Sequence, residues 1–162
     1  MKKIFLFLLI VIAYSNIAYA KDLQWKKFNE GISEAKKSGK KILVDVYTDW
    51  CKWCKEMDKK TYADKNVSAY LKKNFVIIKL NAEGNEKVMY EGKLITPQEF
   101  AQGMGVDGYP ATVFLQNDGK PITLLPGYST PDQFIHVLSF IGENHYLKKK
   151  FPDYLSEKGV KQ

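Results

Sequence analysis

The chain has 162 residues, enough for one domain with a full core and too few for two. Its 45% hydrophobic and 14% aromatic content is that of a globular protein, so a disordered chain is set aside. The net charge of +7 is carried by lysine alone, because the sequence contains no arginine. A nucleic-acid binder would use arginine for bidentate phosphate and guanine contacts, so no nucleic-acid partner is expected. The lysines are scattered among acids and read as a solvated surface with a mild preference for acidic partners.

Residues 1–20 form a different kind of sequence. Lys2 and Lys3 precede an apolar run over residues 4–13, and Ala18 and Ala20 form the small-x-small site that a signal peptidase accepts. The run is too short for a comfortable membrane span. The expectation is a signal peptide over 1–20, a mature chain over 21–162, and a periplasmic or secreted location. Exported proteins of this size often carry several structural disulfides. This chain has only two cysteines, so its core must hold it together.

Over residues 23–37 apolar side chains (Leu23, Trp25, Phe28, Ile32, Ala35) recur at helical spacing until Ser38 and Gly39 stop the pattern. Residues 42–47 make a buried-strand run interrupted by one acid, Asp45. The cysteine segment and the residues up to Asn74 read as helical with a break near Ala63 and Asp64, and residues 75–81 read as a second buried strand. A helix is predicted from Pro97 to about Met104, capped by Thr96 with Glu99 at its third position. Residues 112–115 and 122–125 form a hairpin about Asn117, Asp118 and Gly119. Thr130 and Pro131 open a last helix, and the tail from Phe151 is expected to be loosely held. Strands alternating with helices and then a hairpin predict an α/β fold, a central mixed sheet with helices on both faces.

Cys51 and Cys54 sit in "TDWCKWCKEM", where the chain turns from strand to helix. A cysteine at a helix start faces free backbone N–H groups and the positive dipole end, which stabilise a thiolate, and Lys52 and Lys55 add positive potential. Cys54 lies one turn on, on the same side and more sheltered, within reach to close a disulfide. That is the arrangement for thiol–disulfide exchange, in which the first sulfur attacks and the second resolves. A purely structural staple across so small a loop contributes only about 2 kcal/mol. A metal site needs further ligands, and His136 and His145 have no helical ligand spacing, so none is expected. His136 reads as the edge of a core face and His145 as solvated. Asp45 breaks an apolar strand, and a buried carboxylate costs several kcal/mol unless something uses it. It can take the proton of the second thiol, with Lys79, isolated in "FVIIKLN", as its partner.

The stretches "VDVYTDWCKWCK", "IIKLN" and "MGVDGYPATVFLQNDGK" resemble the thioredoxin superfamily in order and spacing. The resemblance implies a thioredoxin fold over the mature chain to about Ile141. It implies that Asp45 is the buried acid, Lys79 its companion lysine, Pro110 the cis-proline facing the disulfide and Gly127 the glycine of the last strand. Tyr109 then offers a backbone edge to a substrate strand, with Trp50 and Trp53 shaping the surface. Lys52 and Trp53 stand between the cysteines where oxidases and isomerases of the superfamily often carry a histidine. Residues 82–97 look like an insertion and residues 145–162 like a C-terminal extension.

The resulting expectation is a monomeric, exported thiol–disulfide oxidoreductase that reduces cysteine-containing exported proteins. It needs no cofactor beyond the redox-active Cys51–Cys54 disulfide, and a membrane thiol reductase recharges it. The stretch "WCKWCKEMDKKTYAD" is similar to the thioredoxin-like domains that end membrane thiol reductases of the bacterial periplasm, and to small secreted thioredoxin-like proteins. The alternatives are an oxidase or isomerase, or a non-catalytic binding or metal-handling factor using Met57 or Met104.

Overall fold

The computed structural model describes residues 23–160, so the expected signal peptide lies outside the described residues. Four strands form the central sheet: β1 (Lys41–Tyr47), β2 (Phe75–Asn81), β5 (Ala111–Leu115) and β6 (Pro121–Pro126), in the order β2-β1-β5-β6. β1 runs parallel to β2 and antiparallel to β5, and β5 pairs antiparallel with β6. The parallel pair requires a crossover, supplied by α2 (Lys52–Glu56), a π-helical turn (Met57–Tyr62) and α3 (Lys65–Asn74). The sheet is mixed, as the alternation of elements implies.

The strand period of two divides the core. Ile42, Val44 and Val46 face α1 (Phe28–Ser38) and α4 (Pro97–Gly103), with Phe28, Ala35, Phe100 and Ala101 packed on them. Leu43 faces the other way, onto Met57, Tyr62 and Leu71 and onto Phe134 and Leu138 of α5 (Pro131–Gly142). Both predicted caps form full capping boxes, Thr96 with Glu99 and Thr130 with Gln133. The break in the cysteine helix falls where Asp64 caps α3 through the N–H groups of Asn66 and Val67.

Three elements differ from the sequence expectation. Residues 23–27 are not helical: Lys26 N–H donates to Ile77 O at 2.9 Å, and Lys79 N–H donates to Lys26 O at 3.2 Å. Alternating Leu23 and Trp25 fits an extended segment as well as a helix, and covering the open edge of β2 decides between them. Within residues 82–97 a small hairpin forms, β3 (Val88–Tyr90) with β4 (Lys93–Ile95). It turns at Glu91 and Gly92, both at positive φ.

The tail is the third correction, because it folds as α6 (Phe151–Glu157) and buries Tyr154 against Phe140 at 5.4 Å between ring centroids. His145 is half-buried rather than solvated, lying over the Tyr154 ring at 4.9 Å with its Nε2 3.1 Å from Glu143. A sequence of seven residues with one buried ring has little periodicity to read; its stability comes from the aromatic contacts. Tyr154→Ala is therefore expected to destabilise the fold by about 3 kcal/mol in urea unfolding; a loosely held tail would leave the midpoint unchanged.

Candidate active site

β1 ends at Tyr47, and Thr48 O accepts from Cys51 N–H at 3.2 Å, which turns the chain into α2. Cys51 caps that helix with its own sulfur: Cys54 N–H donates to Cys51 Sγ at 3.0 Å. The two cysteines form a disulfide with their Cα atoms 5.4 Å apart. Cys51 is 4% exposed and Cys54 3%, so both cysteines are buried. They differ in position: Cys51 stands at the cap, facing the positive end of the helix, and Cys54 lies one turn inside it.

Asp45 lies on the same face of β1 as Leu43, beneath the crossover that carries the cysteines. It is 1% exposed. Its register partners are Lys79 on β2 and Thr112 on β5. Lys79 Nζ lies 2.6 Å from Asp45 Oδ2 and also pairs with Asp58, on the π-helical turn. The rings of Trp25, Tyr47 and Tyr62 surround the ammonium at 4.8, 5.2 and 5.4 Å. Asp45 Oδ1 and the Tyr62 and Thr112 hydroxyls are all buried without a well-formed hydrogen bond, and the Tyr62 hydroxyl interacts with both Asp45 and Thr112.

Burial holds the Asp45 carboxyl above its ordinary pKa, with Lys79 acting against that shift. Burial also disfavours the Lys79 ammonium, but Asp45 and Asp58 outweigh it and hold that pKa up. Asp58 escaped the sequence reading. The signal available was its spacing, four residues after Cys54 and so on the same helical face.

Above the disulfide, Trp50 and Trp53 are 65% and 61% exposed. Trp50 Nε1 donates to both carboxylate oxygens of Glu83, at 3.0 and 3.1 Å, and its ring meets Tyr109 edge-on at 6.0 Å. Trp53 leans on Tyr128 at 5.3 Å. The Tyr109–Pro110 peptide is cis, and Pro110 O accepts from Gly127 N–H at 2.8 Å, where Gly127 adopts φ 77°. Glu83 and Tyr128 were not anticipated. Glu83 lies within residues 82–97, so part of that stretch reaches this face. The two methionines considered as metal ligands do not converge, since Met57 and Met104 pack into cores on opposite faces of the sheet.

Because the folded protein holds the Asp45 proton more tightly than the unfolded chain, wild-type stability falls as pH rises through the window between the ordinary and the folded value. Asp45→Asn removes that loss, while Lys79 keeps Asp58. The variant's urea midpoint is expected to gain on wild type as pH is raised from about 4 to about 8. A gap independent of pH would show that Asp45 has the same pKa in both states.

The thioredoxin-like domain family matches residues 28–142. The thiol:disulfide interchange protein DsbD of Vibrio cholerae is 29% identical over 132 residues, which are 79% of this chain and 19% of that protein. The chain thus spans about a fifth of the length of the curated relatives first matched. Among solved structures, a thioredoxin-fold protein from Helicobacter pylori superposes with a TM-score of 0.61 at 29% identity, covering 75% of this chain and 80% of that one. The reduced C-terminal domain of Neisseria meningitidis DsbD gives 0.51 at 26% identity, over 68% and 90% of the respective chains. A mixed sheet with its crossover carrying a Cys-x-x-Cys disulfide, matched along most of its length, makes this chain a member of the thioredoxin-like domain family.

Proposed function

We propose that the protein is a thiol–disulfide oxidoreductase that works outside the cytoplasm and reduces disulfides of exported proteins. The observation that carries this reading is the Cys51–Cys54 disulfide closed across the first turn of α2, with Cys51 as the cap. In the reduced protein the Cys51 thiolate attacks one sulfur of a substrate disulfide. A mixed disulfide forms, and the other substrate sulfur leaves as a thiolate. Cys54 then loses its proton toward Asp45 and attacks the Cys51 sulfur. The Cys51–Cys54 bond re-forms, and the second substrate thiolate leaves. Two electrons have passed from the dithiol to the substrate, and a dithiol donor, for which a membrane thiol reductase is the fitting class, must return them.

Asp45 serves this cycle as a proton acceptor whose raised pKa matches a thiol better than an ordinary carboxylate does. Lys79 tunes it by pairing with its Oδ2. Trp50, Trp53 and Tyr109 give an incoming segment an exposed aromatic platform beside the disulfide. Pro110 leads from that platform into β5, and the backbone of Tyr109 is the edge on which an extended substrate pairs. The direction of electron flow rests on Lys52 and Trp53 between the cysteines, where a histidine that would stabilise the reduced thiolate is lacking. The location rests on the leader-like pattern of residues 1–20. Among the described residues no helix is long and apolar enough to cross a membrane.

The roles of the two sulfurs are separable. Cys54→Ser is expected to accumulate a mixed disulfide with a cystine-containing peptide that dithiothreitol releases, while Cys51→Ser accumulates none. Both variants should fall below about 1% of wild-type disulfide reduction. Full dithiol activity in Cys51→Ser, or equal trapping by both, would overturn the assignment.

A further inference from the structure

The topology gathers lysines at the pole opposite the disulfide. The cysteines follow the C-terminal end of β1, a strand of seven residues and so about 20 Å long. At its other end lie the last turns of α1 and α3, since each precedes a strand that begins there, at Lys41 and Phe75. Those turns carry Lys36, Lys37, Lys72 and Lys73. The end of α5 reaches the same pole, where Lys41 Nζ donates to Gly142 O at 3.2 Å, and Gln116 Nε2 donates to the Tyr146 hydroxyl at 2.7 Å. The run Lys148, Lys149, Lys150 follows directly, beside Leu147, which is 68% exposed.

Local helix energetics account for part of this arrangement. Lysines in the last turns of α1 and α3 complement the negative dipole ends. They do not account for Lys150, which caps the N-terminus of α6 without a side-chain bond, at the end where a cation is unfavourable. Among the described residues Lys36, Lys37, Lys73, Lys148 and Lys150 pair with no acid. Of the nearby acids, Glu143 is engaged with Tyr70 and His145, Glu157 with Lys149 and Asp118 with Lys120, which leaves Asp153, in the first turn of α6, as one acid among these lysines.

We propose that this pole is a docking surface for an anionic phospholipid bilayer, which holds the domain with its disulfide end facing away from the lipid. Charge complementarity selects the class of partner. The charges are lysine ammoniums spread over three separate elements, and point charges of this kind suit many mobile phosphate headgroups better than one rigid binding site. Leu147, exposed beside the lysine run, adds an apolar contact that an interfacial seat would bury and an acidic polypeptide would not need. The disulfide end is more balanced, with Asp49, Glu83 and Asp107 among its lysines, so the molecule has a preferred orientation.

Co-sedimentation of the processed protein with vesicles tests this directly. It is expected to bind phosphatidylcholine vesicles containing phosphatidylglycerol and to ignore pure phosphatidylcholine. Raising salt from about 0.1 M to about 1 M should release it, as the screening length shrinks from about 10 Å to about 3 Å. Lys36→Gln, Lys148→Gln and Lys150→Gln together should lower the vesicle partition coefficient at least about tenfold with the urea midpoint unchanged. Lys59→Gln, Lys65→Gln and Lys87→Gln remove the same charge from other faces and should lower it less than about twofold. Three outcomes would overturn the proposal: no binding to the anionic vesicles, equal loss in both triple variants, or binding to polyglutamate without binding to vesicles.

Discussion

Placing Asp45 in β1 puts a carboxyl where water does not reach, and such a group costs several kcal/mol unless it is paired or protonated. Much of the surrounding structure answers that constraint. Lys79 stands opposite in register on the parallel strand, so the pairing of β1 with β2 and the pairing of the charges are one alignment. A shift of β2 by one residue would turn Lys79 to the other face and leave the carboxylate alone. Asp58 then ties the ammonium to the π-helical turn that continues the cysteine helix, and Trp25 closes the site from the segment that covers the β2 edge. Sheet register, crossover and edge cover therefore converge on one buried charge.

The compensation is incomplete, and that incompleteness bears on the chemistry. One carboxylate oxygen has Lys79; the other is buried without a well-formed hydrogen bond. A fully satisfied carboxylate would keep a low pKa and take up no proton from a thiol. Burial with partial pairing moves Asp45 toward the range in which proton exchange with a sulfur is effective. The disulfide above it needs no such charge for its own formation. The motif and the buried pair are independent features that the fold superposes, and their coincidence argues for function more strongly than either does alone.

Much of this was legible in the sequence because it depends on local rules. The strands read through their apolar runs, the helix starts through Thr96 with Glu99 and through Thr130 with Pro131, and the Asp45–Lys79 pair through two charges isolated in hydrophobic stretches. What escaped depends on tertiary partners. Residues 23–27 became a strand-like cover because β2 has an open edge, which no property of Leu23 or Trp25 announces. The β3–β4 hairpin has only three residues per arm, too few to show alternation. The hold on α6 comes from Tyr154 meeting rings of α5, a contact between distant segments. Asp58 and Glu83 gain their roles only where the fold brings Lys79 and Trp50 to them.

The account rests on Cys51 and Cys54 acting as a reducing dithiol, and the equilibrium reduction potential of that pair tests it most directly. Equilibration of the protein in dithiothreitol or glutathione redox buffers, read by the fraction of free thiol, gives the value. The account predicts a potential near that of thioredoxin, about −270 mV. A potential near that of a strong oxidase, about −120 mV, would contradict it and reverse the direction of electron flow.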